Sequence, residues 1–239
     1  MHIGGLPCDM PAIERIARDR GRWVGTLGDA TAFSFYATKN LTTGEGGMLT
    51  TNDDAIADTV ATLTLHGMSR DAWKRYSDTG SWWYDITAPG YKYNLPDLQA
   101  AIGLHQLRRA TDLWHKRQRL ARLYRERLAD IPFVELPALA PAGDEHAWHL
   151  FTIRLRPETL SINRGQFIEA LGTRGVSTSV HFIPVHMHSF YRDRLGYAAG
   201  AFPRAERTYS RIISLPFHTS LTEDDIDYVA EQIREVGRG

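Results

Sequence analysis

The segment from Ala32 to Thr51, AFSFYATKNLTTGEGGMLTT, limits the possible folds of this chain more than any other stretch. An alternating apolar run, Ala32 to Tyr36, leads into a turn that carries Lys39, and a second strand-like run, Met48 to Thr51, follows a glycine-rich segment. Alternation with a period of two predicts strands, and glycines let the connecting backbone approach a ligand closely. The pattern therefore predicts two strands joined by a connection that holds Lys39 in place.

The composition is that of an ordinary globular protein, and it excludes several function classes. Lys+Arg and Asp+Glu balance at 28 each, so no global field attracts nucleic acid or an anionic membrane. Cys8 is the single cysteine of the 239 residues, which excludes an internal disulfide and fits a reducing compartment. The sequence has neither an apolar run of membrane-spanning length nor an N-terminal signal pattern. We expect a cytoplasmic protein without nucleic-acid or membrane partners.

Hydrophobic periodicity and turn residues predict an alternation of helices and strands. The longest helical pattern runs from Leu98 to Ala129, is expected to bend near Thr111 to Trp114, and has Asp97 in position to cap it. Its many basic residues, Arg117 among them, are expected on a solvated face. Toward the C-terminus, β-α-β alternation predicts a small α/β unit packed behind the long helix. The other predicted helices span about residues 11–20, 54–66, 166–173 and 203–211, and a last helix begins near 223 with Thr222 and Asp225 as its capping box. The other predicted strands span 148–155, 176–183 and 212–215.

Several common chemistries lack their motif in this chain. The glycines at Gly44, Gly46 and Gly47 do not have the spacing of a dinucleotide fingerprint, and no P-loop or GxSxG elbow is present. His181, His186 and His188 suggest a metal site, but no acidic or cysteine ligand is close to them in sequence. Histidines on a loop that faces a cleft are the favoured interpretation.

Lys39 then remains as the candidate reactive group. A free lysine amine attacks aldehydes, and hydroxyls such as those of Ser34 and Thr38 can hold a phosphate ester nearby. This arrangement is suitable for pyridoxal phosphate, whose aldehyde a lysine captures. A glycine-rich hairpin with an exposed lysine explains the same residues equally well. The residues alone leave both interpretations open.

The motif FSFYATKNLTTGEGGMLTTND resembles the lysine motif of the DegT/DnrJ/EryC1/StrS family, the pyridoxal-phosphate-dependent nucleotide-sugar aminotransferases. Further segments are similar almost from end to end: HIGGLPCDMPAI, VGTLGDATAFSF, LHGMSRDAWKRY, GYKYNLPDLQAAIGLHQL, HAWHLF, TSVHFIPVHMHSFY and RIISLPFH. The resemblance implies an α/β, aspartate-aminotransferase-like fold (fold type I) that works as a homodimer. It implies a partial large, cofactor-binding domain over residues 1–115, and a long helix with a small C-terminal domain over 116–239.

The resemblance also implies roles for four residues. Lys39 is expected to form the internal Schiff base and to shuttle the proton during transamination. Ser34 is expected to hold the cofactor phosphate, and Asn94 to reach the phosphate of the neighbouring subunit's cofactor. Some family members have the asparagine two positions earlier, where this chain has Lys92. His181 is expected near the sugar nucleotide, with glutamate as the amino donor and a nucleotide-linked keto sugar as the acceptor.

Two pieces of the family pattern are absent from this sequence. Family members have a substantial part of the large domain before the segment that matches HIGGLPCDM, which here begins at Met1. They also carry a strand with a Glu-Asp-Ala-Ala-type motif where this chain passes directly from Gly21 to Arg22. The aspartate of that motif pairs with the pyridine nitrogen and makes the ring an electron sink. The sequence therefore predicts a truncated and internally deleted member with weak or no activity, or a non-catalytic remnant that binds a partner subunit or a nucleotide sugar.

Overall fold

The structure, a computed structural model, describes residues 28–69, 83–141 and 143–238. These residues form two compact units, one that ends at Ala110 and one that begins at Thr111. The predicted helix over residues 11–20, the preceding loop and the site of the missing aspartate strand lie outside the described residues. The predicted division into domains after residue 115 stays a prediction.

The unit that ends at Ala110 is built around the predicted pair of strands. Strand β1 (Ala30–Ser34) pairs antiparallel with strand β2 (Gly47–Thr51), with Ala30 opposite Thr51 and Ser34 opposite Gly47. Helix α1 (Asp54–Leu63) follows, and the Asp53 carboxylate accepts hydrogen bonds from two backbone N–H groups of its first turn. The helix is shorter than predicted because His66 has a positive φ of 60°, which ends helical geometry.

The long predicted helix consists of two helices. Helix α2 (Asp97–Arg108) and helix α3 (Ala110–Leu128) meet at Arg109, which is earlier than the predicted bend. The prediction that Asp97 caps this element is wrong. Pro96 occupies the N-cap position without a side-chain hydrogen bond, and Asp97 is the first helical residue, where its charge favours the helix dipole.

The unit that begins at Thr111 has a three-stranded antiparallel sheet in the order β3-β4-β5. Apolar side chains of α3 (Ala110–Leu128) and α7 (Glu223–Arg238) pack with this sheet and form much of the core of the unit. The largest fully buried residues of this core include Tyr124, Phe151 and Phe167. Its elements after α3 are β3 (Val134–Glu135), β4 (Phe151–Leu155), α4 (Arg164–Thr173), α5 (Ser189–Leu195), α6 (Pro203–Tyr209), β5 (Ile212–Leu215) and α7 (Glu223–Arg238).

Three predictions for this unit are wrong and one is confirmed. The segment 176–183 is not a strand: it forms a single bridge to β5, from Ser179 to Ser214, because β5 ends before Pro216, which has no N–H for a ladder. Strand β4 begins at Phe151, after Trp148, which has a positive φ of 45°. Arg117 is buried and donates to the Trp148 carbonyl at 3.0 Å, so it does not lie on a solvated face.

The predicted capping box at the start of α7 is confirmed. The Thr222 hydroxyl accepts from the Asp225 N–H at 3.2 Å, and the Asp225 carboxylate accepts from the Thr222 N–H at 2.8 Å. None of the helices in the described part of the chain is long and apolar enough to cross a membrane.

Candidate active site

Backbone hydrogen bonds fix the turn that carries Lys39. The Lys39 N–H donates to the Tyr36 carbonyl at 2.9 Å, and Phe35 bonds both to the Gly46 carbonyl (2.8 Å) and to the N–H of Thr43 (2.9 Å). Lys39 is half-buried, and within the described residues its ammonium group has no hydrogen bond or ion pair. Among the described residues, then, no carboxylate holds the Lys39 side chain in an ion pair that an aldehyde would have to displace.

The neighbouring hydroxyls divide into two groups. Thr42 donates to the Phe35 carbonyl at 3.1 Å and accepts from the Gly44 N–H at 2.9 Å, while Thr43 donates to the Glu45 carbonyl at 2.7 Å. These two hydroxyls stabilise the turn itself. Ser34 is exposed, and within the described ranges the one bond that its oxygen accepts is long, 3.4 Å from the Tyr36 N–H. Its O–H is therefore available to donate to a ligand.

The lack of a side chain at Gly46 allows the backbone of the glycine-rich segment to lie close to the Thr43 hydroxyl. Gly46 has a φ of 153°, and a Cβ atom there would lie 2.5 Å from the Thr43 hydroxyl oxygen. A side chain at this position would displace the hydroxyl that stabilises the turn. Glycine at 46 is thus required by the local packing.

Asn94 lies on an extended segment before α2 and lines a cavity of about 490 Å³, together with Gly46 and Gly47. Lys92 donates from its ammonium group to the Asn94 side-chain oxygen at 2.5 Å. That bond occupies the amide oxygen, so the Asn94 NH₂ group is the end that can donate to an anion. Neither Lys39 nor Ser34 lines this cavity.

His181 belongs to the other unit, so the structure describes it separately from Lys39, Ser34 and Asn94. Its Nδ1 lies 2.7 Å from the hydroxyl oxygen of Ser214 on β5, and burial lowers its pKa. Sequence reasoning missed Ser214. The segment RIISLPFH contained a signal for this contact, because a polar residue between the apolar neighbours of a buried strand needs a hydrogen-bond partner. The histidine of TSVHFIPVH was a possible partner.

His186 also has a partner that sequence reasoning missed. Its Nε2 lies 2.9 Å from the Glu206 carboxylate, which also accepts from the N–H groups of Gly200 and Phe202. These bonds, with His186 foremost, lower the pKa of Glu206. The pair joins α6, which contains Glu206, to the segment that contains His186. Among the described residues, no three His, Cys, Asp or Glu side chains lie close enough to hold a metal ion.

Comparison with known proteins identifies the family. The model of the DegT/DnrJ/EryC1/StrS aminotransferase family matches residues 1–234, and the chain belongs to this family. Among curated relatives, the spore coat polysaccharide biosynthesis protein SpsC of Bacillus subtilis is 45% identical over all of this chain and 66% of its own length. The uncharacterized protein MJ1066 of Methanocaldococcus jannaschii is 45% identical over 99% of this chain and 65% of its own length. The chain thus spans slightly less than two thirds of these relatives.

Solved structures confirm the predicted fold. The putative sugar aminotransferase Spr1654 of Streptococcus pneumoniae, in its PMP form, is 27% identical, covers 99% of this chain and superposes with a TM-score of 0.86, with 68% of its own chain matched. The aminotransferase TlmJ of Streptoalloteichus hindustanus is 30% identical over 98% of this chain and 64% of its own, with a TM-score of 0.82. Spr1654 was also solved in a PLP form, so this relative holds the cofactor that the resemblance predicts.

Proposed function

We propose that the chain is the part of a sugar aminotransferase that carries the reactive lysine, and that the whole protein transfers an amino group to a nucleotide-linked keto sugar. Glutamate is the proposed amino donor, and amino-sugar or polysaccharide biosynthesis is the proposed pathway class. The proposed working form is a homodimer in the cytoplasm. The observation that carries the proposal is the fixed turn in which the Lys39 amine has no partner among the described residues. Family membership supplies the context.

The described residues offer groups that fit pyridoxal phosphate: a lysine amine for its aldehyde, and hydroxyl and amide hydrogen-bond donors for its phosphate. When bound, the cofactor supplies an aldehyde that combines with amines and a ring that withdraws electrons. Lys39 would hold the aldehyde carbon through its amine and move the proton during transfer. The exposed Ser34 hydroxyl would donate to the phosphate. The NH₂ group of Asn94, oriented by Lys92, would donate to the phosphate at the neighbouring subunit's site.

His181 is the proposed contact to the sugar nucleotide. Burial favours its neutral form, and a neutral imidazole can donate one hydrogen bond and accept another. A neutral contact suits hydroxyl and phosphate oxygens without adding a charge to the site. The proposal for His181 rests on the family resemblance and on its accessible ring.

A non-catalytic remnant is the second candidate, and one comparison favours it. The match to SpsC extends over 257 positions, 18 more than the 239 residues of this chain, although the whole chain is matched. SpsC therefore has residues inside the matched region that this chain lacks. This supports the proposed internal deletion. The strand that is proposed to be deleted would carry the aspartate that pairs with the pyridine nitrogen. Loss of such a partner is expected to cost about 3–4 kcal/mol of transition-state stabilisation, roughly a thousandfold in rate.

The first half of the reaction distinguishes the two candidates. The chain is loaded with pyridoxal phosphate, glutamate is added without any sugar, and 2-oxoglutarate is measured by mass spectrometry. An aminotransferase yields up to one equivalent per chain, whereas Lys39→Ala yields none and Lys116→Ala, which changes an exposed helix lysine, yields as much as the wild type. Loaded wild-type chain that produces no 2-oxoglutarate would refute catalysis by this chain and support the remnant.

A further inference from the structure

Ser214 is a buried polar residue in an otherwise apolar strand. It is 3% exposed on β5, between Ile213 and Leu215, which are also buried. Its backbone is fully used, because its N–H donates to the Ser179 carbonyl at 2.7 Å and its carbonyl accepts from the Ser179 N–H at 3.0 Å. The hydroxyl is therefore the part of Ser214 that still needs a partner, and that partner is Nδ1 of His181 at 2.7 Å.

The direction of this hydrogen bond follows from what else the hydroxyl can reach. Among the described residues the Ser214 hydroxyl has no second partner. If Nδ1 of His181 carried the proton, the hydroxyl hydrogen would be buried without an acceptor, which costs about 1–3 kcal/mol. If the hydroxyl donates to Nδ1, both groups are satisfied. The proton of the neutral ring then lies on Nε2.

The Nε2 atom of His181 is on the accessible side of the ring. It has no hydrogen-bond partner among the described residues, and it is not one of their buried atoms that lack a partner. The ring is further held edge-on to Phe182, with the ring centres 4.6 Å apart. The ring is thus held on two sides, and its Nε2 atom is not fully buried.

We propose that Ser214 is a positioning residue that fixes His181 in the tautomer with the proton on Nε2, so that the site presents an uncharged hydrogen-bond donor to an oxygen of the substrate. The oxygen would belong to the diphosphate or a hydroxyl group of a nucleotide sugar. This inference rests on the proposed function of His181. It adds the direction of the hydrogen bond and the residue that sets it.

Nitrogen-15 NMR of histidine-labelled chain tests the tautomer directly. The His181 signals are assigned by their loss in His181→Gln. We expect an unprotonated Nδ1 and a protonated Nε2 in the wild type, and a mixture of tautomers in Ser214→Ala. The matched control is Ser179→Ala, which removes an exposed hydroxyl from the residue paired with Ser214 and leaves the His181 signals unchanged. A proton on Nδ1 in the wild type, or unchanged signals in Ser214→Ala, would overturn the proposal.

Binding of uridine diphosphate, measured by calorimetry, tests the consequence for the ligand. Ser214→Ala is expected to weaken binding about 3- to 10-fold, the effect of one uncharged hydrogen bond, and Ser179→Ala to leave it unchanged. Equal affinity of Ser214→Ala and wild type would refute the role toward the ligand. Absence of binding by the wild type would count against His181 as a contact to a uridine nucleotide, while the tautomer measurement would still decide the role of Ser214.

Discussion

The two units of this chain differ in how they can be stabilised. The unit that begins at Thr111 buries a continuous apolar core, in which Phe151 stacks on Tyr124 at 4.8 Å. In the described part of the unit that ends at Ala110, the buried residues are Thr43 and Gly67, and no large apolar side chain is among them. Burial of apolar surface is the main favourable term in folding. The described part of the unit with the candidate lysine therefore gains less from apolar burial than the unit that begins at Thr111.

The apolar surface of that unit is located between the strand pair and α2. A cavity of about 440 Å³ there is lined mostly by apolar side chains, among them Phe33, Met48 and Leu107. Phe33 and Met48 are 43% and 53% exposed. The contrast indicates that the candidate lysine and the larger buried core lie in different parts of this chain. The following variants test that contrast.

Phe151→Ala should have the largest effect. It removes a fully buried ring, and large-to-small changes of this kind cost about 3–5 kcal/mol. Phe33→Ala, its counterpart in the other unit, should change the free energy of unfolding by less than about 1 kcal/mol, because 43% of Phe33 is already exposed. Urea denaturation followed by tryptophan fluorescence measures both values. Similar losses in the two variants would break the contrast.

Acid should weaken the unit that begins at Thr111 through His146. Burial lowers the pKa of His146 to about 4, and its Nδ1 accepts the Trp148 N–H at 2.8 Å. Because the folded-state pKa lies below the usual 6.5, the unfolded chain takes up the proton first. The contribution of His146 to the free energy of unfolding is therefore fully present above about pH 6.5. It falls by roughly 3 kcal/mol as the pH drops toward 4. His146→Asn retains an acceptor without titrating, so the same urea series should show a flatter pH dependence over this range.

Substitutions of two helix glycines test the packing around them and should have effects of intermediate size. A Cβ at Gly237 in α7 would lie 2.0 Å from the Phe133 ring, so Gly237→Ala should destabilise by about 1–3 kcal/mol through overpacking. Gly172 in α4 has no atom within 4 Å of such a Cβ, and Gly172→Ala should stabilise by about 0.5–1 kcal/mol. Thermal unfolding measures both changes. A neutral result for Gly237→Ala would show that α7 packs more loosely on the core.

Helix caps should give the smallest effects, and these differ between the units. Asn163→Ala removes a capping box from α4, which packs Phe167 into the core, and should lower stability by about 1 kcal/mol. Asp53→Ala removes the cap of α1, which has no buried residue. We expect it to increase amide hydrogen exchange in α1 and to leave the main unfolding transition in place. A shifted main transition would show that α1 belongs to the same cooperative unit.

Local signals in the sequence were enough for part of the structure. The capping box of Thr222 and Asp225 and the apolar run Ile212–Leu215 each specify their element within a few residues. The paired strands around Lys39 were likewise predictable, because period-two alternation on both sides of a glycine-rich turn has few other solutions. Strand β3, with two residues, is too short to produce a pattern.

The contacts that matter most for the candidate site could not be predicted, since they join residues far apart in the sequence. Ser214 and His181 are 33 positions apart and meet through a single bridge rather than a strand ladder. The break between α2 and α3 at Arg109 was placed too late because no proline or glycine marks it. Family resemblance supplied the roles of Lys39, Ser34, Asn94 and His181, which remain predictions.

Capture of pyridoxal phosphate by Lys39 is the central claim, and one measurement tests it most directly. The purified chain is incubated with pyridoxal phosphate, its Schiff-base absorbance is recorded, and the adduct is reduced with borohydride and located by peptide mass spectrometry. We expect the absorbance band in the wild type and in Lys116→Ala, with the label on Lys39, and no band in Lys39→Ala. A wild-type chain without the band, or a label on another lysine, would contradict the claim.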